Sequence, residues 1–474
     1  MRPIEAVERL GRWSSGRGPL YVLLATRLRR LIDDGELPPG ALLPADRALA
    51  GALAVGRTTV VAAYDLLRAE GRITRHQGSG TRVAGTPTSA ATEDAPVDPI
   101  FLDSLESRDD GVLLAICAAP GDPPPQVAEA YARIVPELSR ISGDIGYYPY
   151  GHPVLREAIA ARYTGLGVPT APEHVLVTNG GQQALSLLAH ALVSPGDRVL
   201  VEAPTYPGAL EAFREEGAVL RGLPVGLEGF EAAARDLRPA VAYVIPTYQN
   251  PTGSVLPRLA RERLARAAAA VDVPLIEDEV PADLGFPGEP RPAPLAAYSD
   301  AVITVGSLSK SIWGGLRIGW VRAPAPLVNR LARLRAVHDL GGNVPAQLAA
   351  AHLVSQLDDL GLAEELKARH DHLRALLTQH LPTWEVPQIT GGQCLWVRLP
   401  HGDGNSFAQT ALRHGLAILP GSGLDVTGAG DPYVRLHFRA RPTELTEATT
   451  RLTTAWRTYH PPTNRVPSRP ALAI

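Results

Sequence analysis

Lysine is almost missing from this chain. Of its 46 basic residues only Lys310 and Lys367 are lysines, and the rest are arginines. A guanidinium can replace an ammonium in an ion pair or on a phosphate, but it stays protonated and forms no Schiff base. A lysine kept in such a chain is a candidate amine nucleophile, and Lys310 has the setting for one. It sits in Gly306-Ser307-Leu308-Ser309-Lys310-Ser311, after the apolar run Ala301–Val305, with Arg317 a short way on in Leu316-Arg317-Ile318-Gly319. The pattern is a buried strand feeding a loop of small hydroxylated residues. A surface lysine in a Ser-rich turn has the same local spacing, so the rest of the chain must decide.

Cysteine is scarce as well. Cys117 and Cys394 lie far apart with no metal-ligand spacing, which excludes a disulfide scaffold and a Cys-based metal centre and fits reduced core thiols. No run approaches the roughly 20 apolar residues of a membrane span. Met1-Arg2-Pro3-Ile4-Glu5 lacks the apolar stretch of a secretion signal. The expectation is a cytoplasmic protein without a membrane partner or a metal. Its 474 residues exceed one ordinary domain, and 45% hydrophobic content supports large cores.

Charge is unevenly placed. Residues 1–85 hold 13 Arg against 8 acids, a net +5; with −3 for the whole chain, the remainder carries −8. A small basic head on a large acidic body points to a head that meets a polyanion. Within it, Leu20, Leu23, Leu24, Leu28, Leu31 and Ile32 recur at helical spacing, with Arg27, Arg29 and Arg30 on the opposite face. A short helix follows Pro44. Ala54-Val55-Gly56 then turns into a third helix, Arg57–Glu70, whose Val60, Tyr64 and Leu67 face the core while Arg57, Thr58 and Thr59 occupy the exposed first turn. Ile73-Thr74 and Thr81-Arg82-Val83 flank a basic Gly-rich tip, Arg75-His76-Gln77-Gly78-Ser79-Gly80. Helix, tight turn, helix and a two-stranded wing form a winged helix-turn-helix.

Over residues 19–84 the head resembles GntR-family transcription regulators, through Leu43-Pro44-Ala45-Asp46-Arg47, Arg57-Thr58-Thr59-Val60, Leu67-Arg68-Ala69-Glu70-Gly71 and Gly78-Ser79-Gly80-Thr81. The resemblance implies that Arg47, Arg57, Thr58, Thr59, Gln77 and Gly78 touch double-stranded DNA. Arg57 suits bidentate readout of guanine, and the Thr hydroxyls and Gly78 backbone suit phosphates. Gly56 stands where the family usually has Ser, so the helix cap has no side-chain acceptor. A helical hairpin that only packs or dimerises is the plain alternative.

Residues 85–107 read as a linker, Pro- and Thr-rich in their first part, and 461–474 as a Pro-rich, disordered tail. Between them, apolar runs alternate with helical stretches. Strands are expected at Val175–Thr178, Arg198–Val201, Val219–Leu220, Val241–Ile245, Pro274–Asp278 and Ala301–Val305, and helices at Gln182–Val193, Pro207–Glu216 and Pro257–Val271. That alternation makes a mainly parallel sheet covered on both faces, with ligands beyond the carboxyl ends of the strands. The informative residues lie at those ends. Thr178-Asn179-Gly180-Gly181-Gln182 opens a helix with free amides, a phosphate site. Tyr206 follows the next strand, Asn250 stands on a Pro/Gly loop, and Asp278 ends an apolar strand, where a carboxylate needs a positive partner or a proton.

Pyridoxal phosphate needs each of these groups: an amine, an anion site, an aromatic stack, a donor to the ring oxygen and a carboxylate for the ring nitrogen. The ordered motifs resemble fold type I aminotransferases over about residues 108–460. By that resemblance Lys310 is the Schiff-base lysine, Asp278 pairs with the ring nitrogen, Asn250 binds the ring oxygen and Tyr206 stacks. Gly181, Gln182, Ser307 and Arg317 hold the phosphate. Arg435, in Val434-Arg435-Leu436, grips an amino acid's carboxylate, a bidentate task. Tyr147, or its neighbour Tyr148, reaches the phosphate of a second subunit, which implies a homodimer. The family usually has a tyrosine two or three residues after the aspartate; here Pro281, which has no donor, lies in that stretch.

A GntR-type head on an aminotransferase-like body resembles the MocR-type regulators. The implied fold is a small α+β winged helix-turn-helix (residues 1–84) joined to a large α/β fold type I domain (108–460) with a small C-terminal α+β subdomain. The implied function is a pyridoxal-phosphate-dependent regulator that senses a small amino compound or the cofactor itself. Two other functions stay open: a working aminotransferase carrying a DNA-binding head, and a DNA-binding protein whose body only dimerises.

Overall fold

The computed structural model describes residues 3–11, 13–14, 19–33, 36–76, 80–84, 113–114, 123–138, 145–357 and 361–461. The linker expected over 85–107, the tail after Pro461, Cys117, Gln77 and Gly78 all lie outside the described residues.

The head starts with a helix that the sequence reading did not include, α1 (Pro3–Leu10), followed by α2 (Leu20–Asp33), α3 (Asp46–Ala52) and α4 (Arg57–Ala69). Arg27 holds α1 in place by donating to the carbonyls of Leu10 (3.2 Å) and Arg9 (3.0 Å) at its C-terminal end. Ala6 and Leu10 of α1 join Leu24, Leu28, Leu31, Leu49, Val60, Tyr64 and Leu67 in one core. Each fully buried Leu there contributes about 1.5–3 kcal/mol. The wing is β2 (Ile73–His76) against β3 (Gly80–Val83), antiparallel, and β1 (Leu42–Leu43) adds a third strand to give the order β1-β3-β2. Gly56 caps α4 without a side-chain hydrogen bond, as its missing side chain requires.

The body is built on a seven-stranded sheet of β5 (Val175–Thr178), β6 (Arg198–Glu202), β7 (Val219–Leu223), β8 (Val241–Val244), β9 (Leu275–Asp278), β10 (Ile303–Ser307) and β11 (Gly319–Arg322), with β4 (Leu113–Leu114) lying outside it. Its order is β5-β11-β10-β9-β8-β6-β7. The β6–β10 ladders are parallel, and β11 runs antiparallel to both of its neighbours. Alternate side chains of one strand enter different cores. Val175 and Val177 pack on one face and Leu176 on the other, as do Ala242 and Val244 against Val241 and Tyr243. Helices Gly181–Leu192, Pro207–Glu215 and Arg258–Ala270 match the expected ones to within two residues. The expected strand Ala301–Val305 instead begins at Ile303, because Val302 is tied back to Ser299 in a turn (3.2 Å).

A second, smaller sheet follows, ordered β12-β15-β14, from β12 (Cys394–Arg398), β14 (Leu419–Pro420) and β15 (Tyr433–His437). Helices Leu362–His380, Gly404–Arg413 and Pro442–Thr458 complete this part around Phe407, Leu436 and Phe438. Leu416–Ala417 (β13) pairs in parallel with β4.

Candidate functional site

Chain direction gathers the site. β5, β6, β8, β9 and β10 are aligned, so Thr178, Glu202, Val244, Asp278 and Ser307 end at one edge of the sheet. Beyond β5 the backbone turns at Gly180, φ 91°, straight into the N-terminus of the Gly181–Leu192 helix. Amides at such an end carry the positive pole of the helix and suit an anion. Only glycines fit here. A methyl group on Gly180 would sit 2.6 Å from an Arg317 guanidinium nitrogen, and one on Gly319 would sit 2.5 Å from the Gly180 backbone. Arg317, itself at φ 53°, reaches back and donates to the Asn179 carbonyl at 2.6 Å. Ser307 closes the opposite side: its hydroxyl donates to the Ile318 carbonyl (3.0 Å) and lies 3.0 Å from the Ser309 hydroxyl. Gly180, Gly181, Ser307 and Arg317 therefore line one small cradle.

Lys310 is the second residue of a π-helical turn, Ser309–Trp313, half-buried just past Ser307. Wide turns of this kind are uncommon and recur at functional sites. Tyr206 joins the cradle through Gln182: the phenol donates to the Gln182 side-chain oxygen (3.1 Å), and the Gln182 amide donates to the Gly208 carbonyl (2.8 Å).

Asp278 is buried, with both carboxylate oxygens engaged. Tyr243 donates its hydroxyl to Oδ2 at 2.6 Å and the Val280 amide donates to Oδ1 at 2.9 Å. Burial pushes this carboxyl up to about 6, against the pull of those two donors. Nearby Glu202, held by the Gly226 and Ile245 amides at 2.7 and 2.9 Å, is pushed up to about 7 for the same reason. Two buried acids that are reluctant to ionise describe a pocket that is short of positive charge.

Asn250 and Arg435 come from different parts of the chain and meet. The Arg435 guanidinium donates to Asn250 Oδ1 at 3.0 Å, and its Nε is buried without a hydrogen-bond partner. Arg435 is held in register by Trp396 of β12 and Leu419 of β14. With Asn250 Oδ1 taken, its amide N–H groups are the polar face left for a ligand oxygen. Tyr147 stands apart from these groups, 59% exposed in an extended stretch, while Tyr148 is half-buried with its backbone against Gly341.

Three features were not read from the sequence. Tyr243 lies inside a strand as an ordinary core aromatic, and only the fold shows its hydroxyl meeting Asp278. Ser311 is buried, with a hydroxyl that has no hydrogen-bond partner. The third is the direction of Val280: a methyl group on Gly181 would meet Val280 Cγ2 at 3.2 Å and Ser307 Cβ at 3.8 Å. An apolar branch thus lies against the cradle.

In the head, Arg47, Arg57 and Thr58 are exposed and Thr59 is half-buried at the start of α4. Arg57 bridges to Asp46 at 2.8 Å while its side chain stays 52% exposed. The arrangement presents α4 N-terminus first, flanked by the exposed wing residue Arg75.

Comparison with known proteins agrees with both parts. Residues 109–452 match the family described as "Aminotransferase class I and II", and residues 20–83 match "Bacterial regulatory proteins, gntR family". The uncharacterized HTH-type transcriptional regulator YisV of Bacillus subtilis is 30% identical, over 82% of this chain and 86% of its own. The probable rhizopine catabolism regulatory protein MocR of Rhizobium meliloti is 33% identical, over 77% and 78% respectively. Among solved structures, LysN, an α-aminoadipate aminotransferase of Thermus thermophilus complexed with N-(5'-phosphopyridoxyl)-L-leucine, superposes with a TM-score of 0.66. It is 29% identical, over 73% of this chain and 92% of that one.

Proposed function

We infer that this chain, which belongs to the aminotransferase class I and II family and carries a GntR-family regulatory head, is a pyridoxal-phosphate-dependent, DNA-binding transcription regulator. The observation that carries it is the coexistence in one chain of an open recognition helix, Arg57 and Thr58 exposed, with a site that joins the half-buried Lys310 to the buried Asp278 and Arg435. When bound, the cofactor supplies an aldehyde and an electron-withdrawing ring for amine chemistry.

The residues divide that work. Lys310 would hold the aldehyde end through its side-chain amine. Gly181, Gln182, Ser307 and Arg317 hold the phosphate, as the glycine-only cradle supports. Tyr206 stacks on the ring, tied to the cradle by Gln182. Asp278 takes the ring nitrogen, whose positive charge relieves the carboxylate that burial holds near 6. Asn250 donates to the ring oxygen. Arg435, with its buried Nε lacking a hydrogen-bond partner, takes the carboxylate of an amino-compound effector. In the head, Arg47, Arg57, Thr58, Thr59, Gln77 and Gly78 contact operator DNA. The chain works as a homodimer in the cytoplasm, with Tyr147 completing the partner's phosphate site. Exposed Ile145, Tyr147, Val337 and Leu340, in two segments that meet where Tyr148 packs on Gly341, support such an interface. The domain limits are 1–84, 108–460 and the linker between them.

The purified protein is expected to be yellow, and Lys310→Ala to lose the borohydride-stable adduct. A wild type that stays colourless in saturating pyridoxal phosphate refutes the cofactor assignment. Arg57→Ala should lose specific binding to the gene's own upstream region while keeping the cofactor; an unchanged footprint refutes the recognition-helix assignment. A second function, a working aminotransferase, is favoured by the intact Lys310, Asp278, Asn250 and Arg435 and opposed by Pro281, which has no donor where the family usually has a tyrosine. Sustained turnover with amino donors and 2-oxoglutarate would establish it.

A further inference from the structure

Among the described residues, specific polar groups join the head to the body, and those on the body lie on one helix, Gly404–Arg413. Arg413 donates from one terminal nitrogen to the Leu53 carbonyl (3.1 Å) and from the other to the Ala54 carbonyl (3.0 Å). One turn earlier, the Gln409 side-chain oxygen accepts from the Trp13 indole at 3.2 Å. Trp13 is 5% and Gln409 9% exposed, so the seam is closed to water there. Residues four apart on a helix share a face, which makes Gln409 and Arg413 one surface.

The target on the head is equally defined. Leu53 caps α3, and Ala54, at φ 50°, turns the chain toward α4. Their carbonyls stand at the negative pole of α3, where a guanidinium is favoured. Arg413 pairs with no carboxylate among the described residues. Its hydrogen bonds go to Leu53, Ala54 and the Thr410 hydroxyl, so its charge is matched by the head itself. The grip leaves the DNA side open, because Arg57 and Thr58 remain exposed.

The inner side of the same helix packs on the sheet that carries Arg435, from the opposite face. Phe407 and Ala411 share a core with Val434 and Leu436, the two neighbours of Arg435 in β15. Asn405 accepts a hydrogen bond from Ser422 (2.8 Å), just after β14, whose Leu419 is paired with Arg435.

We propose that the outer face of the Gly404–Arg413 helix, through Arg413 and Gln409, is a docking surface for the α3–α4 turn of the helix-turn-helix head, and that it couples the Arg435 site to the position of that head. The contact rests on geometry alone; its consequence rests on the regulator function proposed above. Docking by the turn fixes where the recognition helix points without covering it. A ligand on Arg435 that shifts β14 and β15 moves the helix carrying the grip, and the head moves with it. Both states of the small subdomain must differ in ligand affinity for this to work.

Hydrogen exchange on the full-length, cofactor-loaded protein tests the contact. Arg413→Ala and, independently, Trp13→Phe should speed exchange of the amides at 53–56 about tenfold or more, with body amides and the cofactor absorbance unchanged. Arg413→Lys should fall between, since one ammonium cannot replace the two-pronged grip. If Arg413→Ala disturbs the body, Trp13→Phe gives the same measurement from the head side. Exchange within twofold of wild type in both variants overturns the docking surface. For the coupling, DNA affinity for the footprinted fragment is measured with and without each protein amino acid. Arg413→Ala should still bind DNA but lose the amino-acid-dependent shift of the wild type. A shift equal to that of wild type overturns the coupling. Failure of the regulator function itself looks different: a wild type that binds neither cofactor nor DNA, whatever the exchange at 53–56.

Discussion

Replacing Tyr243 by Phe changes one oxygen at the centre of the site. Tyr243 is fully buried and donates to Asp278 Oδ2 at 2.6 Å, so Phe keeps the packing and deletes only the donor. Burial already pushes Asp278 up from 3.8 to about 6, with the Tyr243 hydroxyl holding it down. A hydrogen bond to a charged acceptor contributes about 1.5–3 kcal/mol, and a loss of ~2 kcal/mol changes the protonation equilibrium ~30-fold. The sign follows from which form binds. The cationic ring nitrogen needs the carboxylate, so cofactor binding weakens as pH falls through the carboxyl's titration, and the variant meets that fall at higher pH. Linkage then gives a cofactor Kd weaker than wild type by ~8-fold near pH ~6.5 and ~4-fold near pH ~7, with no difference by pH ~9. Fluorescence titration of the apo-proteins across that range measures it. Taking the ratio of variant to wild type cancels the cofactor's own titration. A ratio that stays constant with pH, or equals one near pH ~6.5, refutes the assignment of Asp278 to the ring nitrogen with Tyr243 as its positioning group.

Gly180→Ala places a methyl 2.6 Å from Arg317 at a φ of 91°. Strain of about 1–3 kcal/mol should weaken pyridoxal phosphate about 10- to 100-fold. Pyridoxal, which lacks the phosphate, should be affected far less, and an equal loss for both would show that the cradle does not hold the phosphate. Arg435→Gln removes a buried guanidinium at the far side of the site. Amino acids should lose about 10-fold or more in the concentration that perturbs the cofactor spectrum. The matching amines, without a carboxylate, should respond as with wild type; equal losses for both would remove Arg435 from carboxylate binding. Arg57→Ala should cost about 1–3 kcal/mol at one operator position. Selection from randomised half-sites shows it as lost preference at that base, and a preference unchanged from wild type would reassign the reading residue.

The fold was readable wherever one pattern governed a long stretch. The apolar strands of the sheet announce themselves because both of their faces are covered, so β8 is an uninterrupted apolar run and β9 is apolar up to Glu277. β11 escaped notice for the opposite reason. It is four residues long, follows the Arg317 turn and ends in Arg322, a buried arginine that donates to the Val302 carbonyl at 3.4 Å. A charged residue in a strand reads as a loop until its partner is known. α1 was missed because it is short: Ile4, Val7 and Leu10 recur at helical spacing, but over only eight residues, and only contact with α2 and α3 buries Ala6 and Leu10.

The site was readable in its chemistry and not in its supports. Lys310, Asp278 and Asn250 could be chosen because each is a residue type that the cofactor demands at or beyond a strand end, whereas Arg435, in the middle of β15, was identified only through the resemblance. Tyr243, Val280 and Ser311 act through geometry that no spacing encodes. Val280 shows the difference most clearly. The sequence shows that no tyrosine follows Asp278 and that Pro281 has no donor, but not where the neighbouring side chains point. In the structure the backbone after Asp278 folds back, with the Val280 amide capping the carboxylate, and this turn aims the Val280 side chain at Gly181. One backbone hydrogen bond therefore does two things. It holds Asp278 in its buried position, and it turns the Val280 isopropyl group toward the glycine cradle. Asn250, the residue proposed for the ring oxygen, has its Oδ1 fixed by Arg435. On the roles proposed above, the effector residue and the ring-oxygen residue share that one amide, so a ligand that draws on Arg435 would also act on Asn250.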